Sequence, residues 1–130
     1  MLEKEELKAA QLYINNLDLT FLQTQLTQRD IDKWSRKDAI IGIQQYKNYL
    51  YLIKKYNDKY PIIPPSKHID EVWHQHILNT KKYHDACWQI FGHFHHHTPG
   101  EKTKKSIAFY NQLFDQITQE LYFKEFGEYL

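Results

Sequence analysis

Ala39, Ile43, Tyr46, Leu50 and Ile53 follow one another at steps of four, three, four and three residues. That spacing gathers all five on one side of an α-helix. It is incompatible with a strand, whose faces alternate every second residue. Ser35 stands ahead of the run as an N-cap, and Asp38 three positions later completes a capping-box arrangement. Trp34 and Ala39 occupy the staple positions around it. Asn57-Asp58 and Pro61 end the helix. The stretch from Tyr60 to Pro65 is a proline-bounded linker, because residues before proline avoid the α region. This seam reads as core, with no chemistry assigned to it.

The rest of the chain repeats the helical pattern. Leu7, Ala10, Ile14 and Leu17 form one stripe; Leu19, Leu22 and Leu26 form a shorter one, with Asp18 ahead of it as a cap. Ser66 can cap a helix that Gly92 closes as its C′ residue. His93 to Gly100 has no period and reads as a loop. A last helix is expected from about Glu101 to about Phe126, with Ile107, Tyr110, Leu113 or Phe114, Ile117 and Leu121 facing inward. With four glycines, four prolines and no strand pattern in 130 residues, the expectation is a single all-α domain, a compact bundle of four to six helices.

Within that frame the segment 64–99 stands apart. All eight histidines lie between His68 and His97, together with the lone cysteine and two of the three tryptophans. Imidazole titrates near neutrality and is the commonest protein metal ligand, so this density points to a polar site. If residues 67–91 make one straight helix, Ile69, Trp73, His76, Thr80, Tyr83, Cys87 and Ile90 share a face. His74 and His76 are two apart and point about 200° away from each other, whereas Asp70 and His74 are four apart and can meet. Cys87 lies about 16 Å along a straight helix from His76. One site uniting them therefore requires a break near Asn79-Thr80, or a loop that folds back.

The string from Pro65-Ser66 through Ile69-Asp70-Glu71-Val72-Trp73-His74, His76, Tyr83, Cys87, Phe91-Gly92 and His96-His97 to Pro99 resembles the signature of the glycine-rich domain-containing protein-like family. The resemblance implies recurrent positions at Asp70, Trp73, His74, His76, Tyr83, Cys87, Gly92 and His97. It carries no established catalytic activity. Plant members add glycine-rich extensions, which this chain of four glycines lacks, so it reads as a stand-alone version.

The leading functional expectation is transition-metal binding, with Zn²⁺ as the metal and Asp70, His74, His76, His97 and Cys87 as ligands. The rival is a metal-free protein-interaction module in which the same residues form a buried hydrogen-bond network. A metal-dependent hydrolase is the third reading, disfavoured because no His-Glu-x-x-His stretch is present. A catalytic assignment is left open and leans against an enzyme. The near-balance of 17 basic and 16 acidic residues argues against nucleic acid or an anionic membrane as partner. A lone cysteine, an N-terminus without a secretory pattern and no apolar run of about 20 residues give the expectation of a cytoplasmic chain with no membrane span.

Overall fold

Ser35 caps the longest helix as its spacing predicts: its side chain accepts the backbone N–H of Asp38 at 3.1 Å. The computed structural model describes residues 3–97 and 103–130. Seven α-helices occur there: α1 (Lys4–Asn16), α2 (Thr20–Thr27), α3 (Arg36–Tyr56), α4 (Lys67–Leu78), α5 (Thr80–Phe91), α6 (Lys104–Leu113) and α7 (Gln119–Phe126). The last two are joined without interruption by a π-helical turn at Phe114–Thr118, so they form one bent helix and the bundle has six. No strand occurs among the described residues, and the fold is all-α. None of these helices is long and apolar enough to cross a membrane.

Helix α3 is the axis of the bundle. It packs against α1, α2, α4 and α7. Ala39, Tyr46, Leu50 and Ile53 of its seam are buried, and Ile43 is half-buried against the same core. Tyr49, also buried, donates its hydroxyl proton to the Ile63 carbonyl at 2.6 Å and so binds the proline linker to α3. At the far end Lys55 and Tyr56 both reach the Glu125 carboxylate at 2.7 Å, joining α3 to α7. Arg29 donates to the Asp32 carbonyl and pairs with Glu71, which holds the α2–α3 connection onto α4.

Two expectations are corrected. The single helix over 67–91 is broken at Asn79, whose ψ of 72° leaves the helical region. Helices α4 and α5 therefore fold against each other. The C-terminal helix is not uniform either. Its first part, α6, buries no residue, and Ile107 and Tyr110 are exposed rather than inward. A π turn inserts one extra residue, which rotates everything after it by about 100°. Thr118, Leu121 and Tyr122 are thereby turned into the core while α6 is turned out of it. Thr118 anchors the turn by donating to the Pro64 carbonyl at 2.6 Å.

Candidate functional site

The histidine segment is built on α4. Ser66 caps it, accepting the Ile69 N–H at 3.1 Å. Gly92 ends α5 with φ of 74°, a left-handed conformation that a side chain would strain. The chain reverses there, and residues 93–97 return across Trp73. The rings of His97 and Trp73 stack at 4.2 Å and 18°, and His97 Nε2 lies 2.7 Å from Asp70 Oδ1. His95 stacks more distantly on the same indole, at 5.8 Å.

Beneath the loop is a short ladder of hydrogen bonds. Trp73 Nε1 donates to the Tyr83 hydroxyl at 2.9 Å, and that hydroxyl donates to the His95 carbonyl. Cys87 lies buried beside them. Burial pushes its thiol pKa up, and the neighbouring His95 N–H and Tyr83 hydroxyl oppose that only in part. A thiol so protonated is a weak nucleophile. Burial likewise lowers the His95 pKa, with the neighbouring imidazoles of the loop adding to it.

His76 meets the Tyr83 ring edge-on at 5.1 Å, but its hydrogen bond leads away from the ladder. It is 1% exposed, and its Nδ1 sits 2.7 Å from the Tyr46 hydroxyl of α3. Desolvation, with the Lys82 charge adding to it, lowers its pKa to about 4, so the ring is neutral near physiological pH. His74 is exposed on the opposite side of α4, as two positions on one helix require. Of the five residues expected to share a centre, the structure thus brings together Asp70 and His97. It turns His74 outward and pairs His76 with Tyr46. Among the described residues no group of three or more His, Cys, Asp or Glu side chains is placed to hold a metal ion. Thr98 and Pro99, the end of the signature string, lie outside the described residues.

A second site was not legible in the motif. A groove of about 740 Å³ opens between the α1–α2 corner, the N-terminal half of α3 and the C-terminal residues. Leu17, Ile40, Ile41, Ile43 and Tyr129 form its apolar lining. Asp18, Lys47, Asn48 and Glu128 are its principal polar groups. Its rear is fixed, because Asn48 donates to the Tyr122 hydroxyl at 2.8 Å and thereby joins α3 to α7. Asp18 is held by the start of α2: its Oδ1 accepts Thr20 N at 3.0 Å and Thr20 Oγ1 at 2.7 Å, bonds that lower its pKa. The sequence signal for this groove was the pair Ile40-Ile41 beside the α3 seam, which widens the apolar stripe past what the core uses.

No curated protein and no solved structure matches the chain. A family model does, and it is not the glycine-rich domain-containing type: the signature resemblance is overturned by a match to another family across residues 9–117. The match takes in α2 to α5 whole, most of α1, and α6 with part of the π turn. The histidine segment, its supporting helices and the α3 wall of the groove are therefore all features of a member of the UCP032817-like family, to which this chain belongs.

Proposed function

We propose that the chain is a non-catalytic helical binding module. In this reading the histidine segment is a structural clasp, and the groove along α3 receives the ligand. The observation that carries it is the division of labour among the histidines: His97 is engaged by Asp70 and Trp73, and His76 by Tyr46. Each is satisfied by a protein partner at its own position. The groove supports the binding half of the reading. Its volume falls within the roughly 300–1,000 Å³ typical of small-molecule sites, and it combines apolar walls with a few polar groups. The near-neutral charge supports a ligand other than nucleic acid, and the lone, reduced Cys87 supports a cytoplasmic setting.

A second reading retains the metal. Asp70 and His97 are two donors of the kind zinc takes, and the chain brings them within 2.7 Å. A Zn²⁺ there needs at least one further ligand, from exposed His74 or from the loop, and must displace the present hydrogen bond. One experiment separates the two. Tag-free protein is dialysed, its metal content measured and its melting followed with and without chelator. The clasp reading expects well under one equivalent of transition metal and a chelator-independent melting temperature. Stoichiometric metal with a lower melting temperature in chelator overturns it in favour of the second.

A further inference from the structure

We infer that α6 is the surface by which two copies of this chain pair, each α6 lying antiparallel against the other across a twofold axis. The feature that carries it is an uncovered apolar stripe with Lys104 at one end and Asp115 at the other.

Helix α6 has little to lean on within one chain. Its substantial packing among the described elements is against the π turn alone, and it buries no residue. Ile107, Tyr110 and Phe114 step by three and four, so they share one stripe. Ile107 is 49% and Tyr110 37% exposed, and half-buried Leu113 and Phe114 lie outside the core cluster. A short helical stretch projecting from a bundle is marginal in water on propensity alone. Its charges add to the problem. Lys104 and Lys105 occupy the first turn, and no acid is there to meet the positive end of the helix dipole. A cover that brings both apolar surface and a carboxylate answers both needs.

A second α6 is such a cover. Lys104 and Asp115 are eleven residues apart, close to three full turns, so they lie within about 20° of each other on one flank of the stripe. In an antiparallel pair the matching flanks of the two helices adjoin. Setting Lys104 of one copy opposite Asp115 of the other puts the twofold axis between Phe109 and Tyr110. At that register Ile107 stands level with Gln112 of the second copy, between its Tyr110 and Phe114, so the stripes interlock. Both ion pairs form at once, and each Asp115 meets the N-terminal turn of the facing helix, where a carboxylate is favoured. Lys104 and Asp115 are exposed, and neither has an ion-pair partner among the described residues. The patch thus carries both halves of its own complement, as a twofold interface requires. The contact runs along only about 15 Å of helix, which places it among small, weak interfaces.

Sedimentation velocity from about 10 µM to about 1 mM is expected to show a monomer–dimer equilibrium with Kd on the order of 100 µM. Ile107→Ser, at a position α6 leaves exposed, should abolish the dimer while the dilute protein melts as wild type does. Lys104→Glu and Asp115→Lys should each be monomeric alone and should dimerise when mixed in equal amounts, because the mixed pair restores both contacts. Lys104→Glu also suits the helix dipole, so loss of the dimer there is not loss of the helix. A contact on another face does not predict that rescue. A wild type that stays monomeric up to about 1 mM overturns the proposal and leaves the face to a different protein. A dimer that survives Ile107→Ser or either charge reversal overturns it too, as do reversed variants that stay apart when mixed.

Discussion

His97 Nε2 lies 2.7 Å from Asp70 Oδ1, which ties the end of the loop after α5 to the first turn of α4. The same imidazole covers the face of Trp73. Because the Asp70 side chain is half exposed, the ionic part of this contact is weak, below about 1 kcal/mol. Ring stacking adds about 0.5–1.5 kcal/mol beyond the area it buries. The clasp therefore depends more on the stack than on the charge.

His97→Ala should consequently destabilise the protein by about 1–2 kcal/mol, and Asp70→Asn by about half of that or less. Denaturant unfolding followed by far-UV circular dichroism measures both. Amide exchange at residues 93–97 should quicken in His97→Ala while α3 keeps its protection. Equal losses from the two substitutions would show that the charge, not the ring, holds the loop.

Gly42 faces Trp34 so closely that a Cβ there would sit 2.7 Å from the indole Cζ3. Alanine gains about 1 kcal/mol over glycine inside a helix. Overpacking costs about 1–3 kcal/mol. The clash is with an aromatic ring seated against the core, so the cost should win. Gly42→Ala is expected to lower stability by about 1 kcal/mol, and Trp34→Phe, which removes the clashing part of the ring, should make the two changes strongly non-additive in a double-mutant cycle. Simple additivity would mean that the indole swings away freely.

The local signals were legible because they are local. Ser35, Ser66 and Gly92 begin and end helices through bonds within a few residues, and the Ala39–Ile53 seam needs only the helix period. The break at Asn79 was readable as a condition for a compact site. What spacing could not supply was which imidazole goes where. His76 meets Tyr46 from another helix, and His97 meets Asp70 through a chain reversal, so both pairings exist only after packing. The π turn escaped for a related reason: a 3.6-residue pattern continued through Phe114–Thr118 predicts inward Ile107 and Tyr110, and one extra residue undoes it. The groove is assembled from three stretches far apart in the chain, and no periodicity encodes a concave surface.

Burial of neutral His76 makes stability depend on pH. Its pKa falls from 6.5 to about 4 on folding, so the unfolded chain binds the proton more tightly. The stabilisation is fully present above pH 6.5 and is lost as pH falls toward about 4. The full shift corresponds to about 3 kcal/mol. Unfolding free energies measured from pH 7.5 down to 4 should decline over this window, beyond the decline seen in His76→Gln. Tyr46→Phe leaves His76 Nδ1 without its partner and should cost about 1–3 kcal/mol at pH 7.5. A pH profile identical in wild type and His76→Gln would mean that His76 is not the titrating group.

Cys87 reports on the clasp from beneath. It is 2% exposed, its thiol pKa is raised by burial, and the backbone of His95 lies beside the sulfur. A thiol of this kind reacts only when the structure above it opens. Ellman's reagent should therefore modify the folded wild type slowly, at a rate set by local opening. His97→Ala removes the stack that holds the loop down, so it should speed modification by about tenfold, the kinetic counterpart of about 1.4 kcal/mol of lost local stability. Lys47→Gln, at the groove on the α3 side, should leave the rate unchanged. Equal acceleration by both would trace reactivity to global unfolding. No acceleration by His97→Ala would show that residues 93–97 stay in place without their terminal imidazole, and that the clasp resides in the Tyr83–His95 bond instead.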